Sequence, residues 1–272
     1  MHRLLAVLSP ERTSTTVRKS GAVRPWAVLF WLGVWQLMAM VLERIYLHGA
    51  LLLPSPVAAL VRLGEMAVTA EFWQTVAMSS GRILGGFVIA CLLGTVLAAL
   101  SARIALLREL LQPLLACVKA VPVASFIILA LRWLSSRHLS LFISFLMVFP
   151  VIYSNVLSGI LQTDRQLLEM AKVFRVPAGR LLRGIYLPQV MPYFRTACSL
   201  SLGLCWKSGI AAEVIGMPEG TIGEHLHTVK VYFETADLFA WTLVIVLVSV
   251  GFEKLFLRLL DRAAERIGAA WN

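Results

Sequence analysis

The 272-residue sequence contains little charge: only 15% of its residues are Asp, Glu, Lys or Arg, whereas 59% are hydrophobic. Ordinary soluble domains carry roughly 25% charged residues. A soluble domain of this length could not bury so much apolar surface, so the composition excludes the soluble class and favours a membrane protein. The four cysteines form no CxxC pair, which excludes a zinc knuckle or a disulfide framework. Because all four lie in apolar stretches, we expect them to be small buried residues.

The sequence also lacks the motifs of several catalytic classes. It has no GxxxxGK[ST] nucleotide-binding loop, no HExxH and no GxSxG. His225 and His227 stand near acidic residues, but the spacing places no third ligand, so we expect no metal site. The apolar run at residues 4–8 is too short for the core of a secretory signal. We therefore expect no catalytic residues and read the start of the chain as a basic tail.

Six segments are apolar enough to cross a bilayer, which takes about 20 residues. They are Trp26–Leu42, Ile83–Leu100, Leu110–Leu131, Leu139–Thr163, Gln189–Ala212 and Leu238–Phe252. With the N-terminus inside, the inner segments carry 16 of the Lys and Arg residues and the outer segments carry six. This asymmetry predicts that both termini are cytoplasmic. It also accounts for the net charge of +10 without nucleic acid as a partner.

The predicted fold is an all-α polytopic membrane helical bundle of about six transmembrane helices. Its predicted domains are a cytoplasmic N-terminal tail (1–25), a transmembrane domain (26–262) and a cytoplasmic C-terminal tail (263–272). Between the first two spans, Leu53–Pro56 is typical of a turn, and Ser55 or Pro56 is expected to open a short amphipathic helix.

Polar residues inside the predicted spans are the next signal. Lys119 and Lys207 lie in the third and fifth spans, and Glu213 lies near the outer end of the fifth. An ionisable side chain in mid-bilayer costs a few kcal/mol, so it usually faces protein or water. Lys207 and Glu213 are expected on different faces of their helix. Two interpretations stay open: the lysines lie along a solute pathway, or each pairs with Glu213 or with backbone carbonyls.

Two further residues belong to the same candidate pathway. Pro122 follows Lys119 closely and frees a backbone carbonyl, which allows a bend in the third span. Asn155 lies one turn beyond Pro150 in the fourth span, where it either lines the pathway or bonds a neighbouring helix.

Residues 162–188 form the longest predicted inner loop, and their pattern indicates two short amphipathic helices. Pro177–Gly179 separates them, and the second is expected to run from Arg180 to Tyr186 and to end at Leu187–Pro188. Short amphipathic helices outside the bilayer are typical of a docking surface for another protein. Helices that rest on lipid headgroups give the same pattern, so composition leaves both interpretations open.

The spacing in this loop resembles the EAA loop of bacterial ABC importer permeases. In that pattern E-A-A is followed by three residues, a glycine, nine residues and I-x-L-P. Glu169, Met170 and Ala171 stand for E-A-A, and the sequence from Ile185 to Pro188 stands for I-x-L-P. Arg175 occupies the glycine position, which is a departure from the pattern. We call residues 162–188 the EAA-like segment.

Other parts of the chain are similar to the sulfonate, taurine and nitrate branch of these permeases, which also includes importers of heterocycle precursors. The similar stretches are Leu53–Pro56, Ser80–Ile83 with Gly86 and Phe87, Lys119–Pro122, and Trp206–Lys207 ahead of Ala211–Glu213.

The resemblance implies a type I ABC importer permease fold and a multi-pass subunit of the bacterial inner membrane that forms the solute pathway. It implies a second permease copy, two cytoplasmic ATPase subunits that bind ATP and Mg²⁺, and an extracytoplasmic solute-binding protein. No cofactor is expected in this chain, and the implied solute is a small organic anion or a heterocycle. The implied contacts to the ATPase are Glu169, Met170, Ala171, Phe174, Arg175, Gly179, Ile185, Leu187 and Pro188.

Two other membrane classes explain this sequence less well. An ion-coupled secondary transporter commonly shows inverted repeats and buried acids in its spans. This sequence shows no such repeat, and no acid lies in the uncharged core of a predicted span. A non-transport membrane protein, such as a sensor or an assembly factor, would leave the EAA-like spacing unexplained.

Overall fold

The computed structural model describes residues 25–46 and 49–269, and all regular structure among them is helical. The helices are α1 (Pro25–Ile45), α2 (Gly49–Leu52), α3 (Pro56–Ala67), α4 (Ala70–Arg103), α5 (Ala105–Ala120), α6 (Val123–Ala130), α7 (Ser136–Leu161), α8 (Arg165–Val173), α9 (Ala178–Leu181), a π-helical turn (Leu182–Tyr186), α10 (Leu187–Gly216), α11 (Ile222–Val231) and α12 (Thr235–Ala269). The predicted N-terminal tail, apart from Pro25, lies outside the described residues, as do residues 270–272.

The long helices occupy the predicted spans. Among the described residues, four stretches are long and apolar enough to cross a membrane: α1, α4, α7 and the continuous run Ala178–Gly216. The bent pair of α5 and α6 is a fifth candidate. The sixth predicted span, Leu238–Phe252, lies within α12, which is 35 residues long. The predicted all-α membrane bundle is confirmed.

The third predicted span, 110–131, is two helices rather than one. The axes of α5 and α6 meet at 104°, and the break falls at Val121 and Pro122. Val121 is extended, with φ −80° and ψ 134°, because a residue that precedes proline is disfavoured in the helical region. The expected bend is therefore a complete interruption of the helix.

Helices α4 and α7 pack closely at glycine positions. A Cβ added at Gly86 would collide with the carbonyl oxygen of Leu141 and lie 2.9 Å from the Cβ of Ser144. A Cβ at Gly94 would lie 3.0 Å from Cγ2 of Ile152. Small residues let membrane helices approach because apolar side chains gain nothing by leaving lipid. These two glycines therefore let α4 and α7 come close together.

Helix α10 completes the core against the other side of α7. A Cβ at Gly209 would lie 2.6 Å from Cγ1 of Ile83 and from Oγ of Ser144, so α4, α7 and α10 meet there. Trp206 fills the space nearby and is only 1% exposed. A Cβ at Gly203 would have nothing within 4 Å. That face of α10 is open in the single chain.

Helix α3 begins as predicted and lies against α12. The Ser55 hydroxyl accepts a hydrogen bond from the backbone N–H of Ala58 at 3.1 Å, and Pro56 is the first helical residue. Arg62 then donates two hydrogen bonds to the Asp237 carboxylate, at 2.5 and 2.7 Å. These bonds attach the short helix to the start of α12.

The cysteines follow the prediction only in part. Cys198 and Cys205 are buried and Cys91 is half-buried, but Cys117 is exposed. Cys117 lies on the outward face of α5, which no other described element of this chain covers. The prediction that it is buried is wrong for the single chain.

Helix α10 sets the distance between the two ends of the bundle. At 1.5 Å per residue, its 30 residues span about 45 Å. The EAA-like segment precedes α10 and α11 follows it, so these two elements lie on opposite sides of the bundle.

Candidate functional site

The EAA-like segment is tied to the two helices that flank it. Buried Thr163 donates a hydrogen bond to the carbonyl of Gly159, which extends the end of α7. The side chain of Asp164 caps α8 by accepting from the N–H of Gln166 at 2.8 Å. The backbone N–H of Asp164 in turn donates to Gln189 at 2.9 Å, near the start of α10. The segment is therefore attached to both α7 and α10.

Helix α8 ends in a turn that favours glycine. The N–H of Arg175 bonds the carbonyl of Lys172 at 3.2 Å, and the N–H of Val176 bonds the carbonyl of Ala171 at 2.9 Å. This pair of bonds is the Schellman motif, which needs a left-handed residue just after the helix. Arg175 is that residue, with φ +49°. The glycine of the EAA pattern at this position thus has a conformational reason, and Arg175 occupies the position with strain.

The exposed face of α8 differs from the sequence expectation at one residue. Ala171 was expected to contact a partner, but it is 3% exposed and packs within the chain. Its neighbour Met170 is 48% exposed and Phe174 is 74% exposed, and Leu167 lies three residues before Met170 on the same face. Glu169 is exposed beside them. The surface available to a partner is therefore apolar with a charged edge. Ala171 is buried beneath this surface and packs against the rest of the chain.

The second half of the EAA-like segment does not end where the sequence predicted. Helix α9, the π-helical turn and α10 run on as one helical stretch through Leu187 and Pro188. Pro188 lies inside this stretch and has no N–H to donate to the preceding turn. The N–H of Leu187 bonds the carbonyl of Leu182 five residues back, so the π-helical turn absorbs the proline. The predicted stop at Leu187–Pro188 is wrong for this reason.

Of the other predicted contact residues in this half, Gly179 and Pro188 are exposed, whereas Ile185 and Leu187 are half-buried. Leu187 and Pro188 line an open groove of about 310 Å³ between α10 and α12. Arg195 crosses this groove and bonds Asp261 at 2.5 and 3.0 Å. The charge of Arg195, which lies in a predicted span, is therefore paired.

The break between α5 and α6 carries a lysine. Lys119 is exposed, and its Nζ donates to the hydroxyl of Ser154 on α7 at 3.0 Å. Pro122 caps α6 and is also exposed. Asn155 is half-buried and donates to the carbonyl of Val151 in its own helix at 2.8 Å, rather than to a neighbouring helix. The structure therefore brings Lys119, Pro122 and Ser154 together at an exposed interruption of the membrane helices.

Lys207 and Glu213 face different ways on α10, as expected. Lys207 is exposed, whereas Glu213 is fully buried. The carboxylate accepts from the hydroxyl of Ser79 at 2.8 Å and from the N–H of Gly223 at 3.3 Å. Among the described residues neither lysine contacts Glu213, so that proposed pairing is wrong. Sequence reasoning did not find Ser79 or Gly223, since partners from distant segments leave no local pattern.

We expect Arg175→Gly to stabilise the chain by about 1 kcal/mol, because glycine takes a left-handed conformation without steric cost. The measurement is the thermal unfolding midpoint of the purified chain in detergent. Arg180→Gly is the matched control: Arg180 is exposed and lies within α9, so glycine there should cost about 1 kcal/mol. A lower midpoint for Arg175→Gly than for the unchanged chain would contradict the strain at this position.

One protein family and several known proteins resemble this chain. Residues 90–267 match the family described as binding-protein-dependent transport system inner membrane components. A protein of Bacillus subtilis described as an aliphatic sulfonates transport permease is 26% identical over 85% of this chain and 82% of its own length. Its Escherichia coli counterpart is 29% identical over 81% and 82%. A bicarbonate transport system permease of Synechococcus elongatus is 28% identical over 53% of this chain and 52% of its own.

A solved structure shares the fold. The crystal structure of an amino acid ABC transporter with histidines superposes with a TM-score of 0.56, over 76% of this chain and 96% of that chain, at 14% identity. The residues that match the family, 90–267, include the EAA-like segment and the helices on both sides of it. The chain therefore belongs to the family of binding-protein-dependent transport system inner membrane components and is the permease subunit of an ABC importer.

Proposed function

We propose that two copies of this permease enclose one solute pathway, and that the EAA-like segment of each copy binds a cytoplasmic ATPase subunit. The ATPase subunits bind ATP and Mg²⁺, this chain having no ATP site of its own. A solute-binding protein delivers the solute on the opposite side, and both termini are cytoplasmic. The observation that carries the proposal is the apolar face that α8 exposes outside the candidate spans.

That face has the properties of a docking surface. Helix α8 is nine residues long, so it cannot cross a membrane. Contiguous exposed apolar surface of this kind marks sites of interaction with other proteins, and here Met170 and Phe174 supply it. Exposed Glu169 offers a partner a charged contact at the edge. Buried Ala171 and the hydrogen bonds around Arg175 hold the apolar side chains in place.

The attachments of the segment make it a lever on the bundle. Asp164 is bonded to Gln189, and Gln162 accepts a hydrogen bond from Tyr193 at 2.7 Å. A displacement of α8 by the ATPase is therefore passed to the end of α7 and the start of α10. These helices pack tightly against each other, so they move as a unit rather than deform.

The exposed lysines support a pathway between two copies. A lysine at membrane depth faces protein or water rather than lipid. Leu204 and Ala211 flank Lys207 on α10, and both pack on the cluster that contains Val118, the neighbour of Lys119. Both lysines thus border one cluster. A second permease copy would cover this face and leave water along the break.

The charges at the break favour an anionic solute. Lys119 lies beside the start of α6, and the N-terminal end of a helix carries partial positive charge. Broken helices in transporters use such ends to hold anionic groups. Relatives named for aliphatic sulfonates and for bicarbonate are consistent with this chemistry. We propose a small organic anion as the solute, with an electron-rich heterocycle as the other class that suits the lysines.

We expect Phe174→Ser to release the ATPase subunits, because it removes the most exposed aromatic side chain of the docking face. Truncating a central contact of this kind costs about 2 kcal/mol or more, so retention should fall by at least tenfold. Glu169→Ala should have a smaller effect, since an exposed charge contributes little. The measurement is the amount of ATPase subunit that co-purifies from membranes.

The control is Val68→Ser, which changes a residue that is 87% exposed at the opposite end of the bundle. It should leave ATPase retention unchanged. Equal amounts of each variant in the membrane show that insertion is normal. Full retention by Phe174→Ser would mean that α8 is not the docking element.

We expect Lys119→Met and Lys207→Met each to lower transport by about tenfold or more while the ATPase subunits stay bound. Methionine keeps the apolar volume and removes the charge that attracts the anion. Uptake into proteoliposomes is measured with the solute that co-purifies with the binding protein. Lys254→Met, at an exposed site on α12, is the control and should transport normally. Unchanged uptake in both lysine variants would show that neither lysine contributes to the pathway.

A further inference from the structure

A fully buried carboxylate anchors the element at the opposite end of the bundle from the EAA-like segment. Oε2 of Glu213 on α10 accepts hydrogen bonds from the Ser79 hydroxyl at 2.8 Å and from the N–H of Gly223 at 3.3 Å. The same Ser79 hydroxyl accepts from the N–H of Ile222 at 2.9 Å. Glu213 and Ser79 thus reach the first residues of α11 from two membrane helices.

These contacts supply partners that the start of a helix needs. The first N–H groups of a helix have no acceptor within it. In α11 the N–H of Ile222 goes to Ser79, that of Gly223 to Glu213 and that of Glu224 to the Thr221 hydroxyl at 3.2 Å. Two of the three acceptors lie on α4 and α10, so α11 is pinned to the bundle at its beginning.

The backbone is shaped to bring α11 against the carboxylate. After α10 the chain turns back through Met217, with φ +46°, and Gly220, with φ +72°. A Cβ at Gly223 would collide with the Cβ and backbone of Glu213. Only glycine permits this approach, which places the N–H of residue 223 on the carboxylate oxygen.

The charge of Glu213 has a counterpart inside the bundle. Arg82 lies one turn from Ser79 on α4, and its positive charge acts on the carboxyl group, near Ser140 of α7. Within the described part of the chain, Oε1 of Glu213, Nη1 of Arg82 and Oγ of Ser140 are buried without a hydrogen-bond partner. Burying this carboxyl group is costly; the hydrogen bonds from Ser79 and Gly223 offset most of that cost, and the charge of Arg82 adds to them.

The rest of α11 is held mainly by weaker contacts. The ring of His225 stacks on Trp241 of α12, with centroids 5.0 Å apart and planes at 18°. Its Nε2 lies 3.5 Å from the Thr75 hydroxyl, at the limit of a hydrogen bond. Val229 on the same helix is 7% exposed, so it is covered while α11 lies in place. The bonds of Glu213 and Ser79 are therefore the firmest attachment.

We propose that Glu213 is a positioning residue for transport: together with Ser79 and Gly223 it forms a clasp that holds α11 across this end of the bundle and keeps the end closed. The role of the clasp in transport rests on the proposed function above. Its role in holding α11 concerns contacts within this chain, so it is measured without a transport assay.

The test is the rate at which a maleimide labels Val229→Cys in the detergent-solubilised complex, with Cys117 changed to Ser to remove the exposed native thiol. Ser79→Ala deletes the acceptor for the N–H of Ile222 and the hydrogen bond that orients Glu213, so it should raise this rate about tenfold. Glu213→Leu should raise it at least as much. Glu213→Gln keeps an oxygen that accepts from both Ser79 and Gly223, so it should restore most of the protection.

Two controls separate local release from general unfolding. Native Cys198 is fully buried in the core, and its labelling should stay slow in every variant. Ser249→Ala removes an exposed hydroxyl that bonds only its own helix, so it should leave Val229→Cys protected. Slow labelling of Val229→Cys in both Ser79→Ala and Glu213→Leu would overturn the proposal. Faster labelling of Cys198 together with residue 229 would also overturn it, because Glu213 would then support the whole bundle.

A transport measurement completes the test. Ser79→Ala should lower uptake while the ATPase subunits remain bound. Normal uptake with α11 released would overturn the role of the clasp in transport. Failure of the unchanged chain to retain any ATPase would refute the proposed function and leave the labelling result standing.

Discussion

The close approach of α4, α7 and α10 is the constraint on which the rest of this permease depends. In lipid, apolar side chains gain no hydrophobic free energy by packing on one another, so helices associate where their backbones can come near. Gly86 and Gly94 on α4 and Gly209 on α10 provide such places around α7. A side chain at any of them would push the three helices apart.

This core connects two polar attachments that lie about 36 Å apart along α10, at Gln189 and at Glu213. At one end, the EAA-like segment is bonded to α7 and α10 through Gln162, Asp164 and Gln189. At the other end, Glu213 on the same α10 holds the start of α11. A helix that is rigid between two such attachments couples a displacement at one end to the other. The permease therefore has a physical link between the proposed docking face on α8 and its far side.

Much of the fold follows from composition and periodicity. The apolar segments, the N-cap at Ser55 and the different faces taken by Lys207 and Glu213 all depend on local sequence, and each was predicted. The third span was predicted less well, because Pro122 signals a bend but does not set its angle. The continuation of the helix through Pro188 depends on the π-helical turn at 182–186. It could not be predicted, because no residue pattern marks such a turn.

The sequence predicted where the candidate site lies better than which of its side chains are exposed. The EAA spacing located α8 and the exposed side chains of Met170 and Phe174. It did not show that Ala171 faces inward, since that depends on how the segment folds back on the bundle. The EAA pattern has a glycine where this chain has Arg175, and only the left-handed backbone at this residue explains that preference. Ser79 and Glu213 are 134 residues apart, so their bond could not be read from spacing.

We propose that this chain is one half of a pathway, with its open face around Lys119 and Lys207 covered by a second copy. Native mass spectrometry of the detergent-purified complex tests this arrangement. We expect two copies of this chain together with two ATPase subunits. A stable, transport-active complex that contains a single copy and no other permease would contradict it.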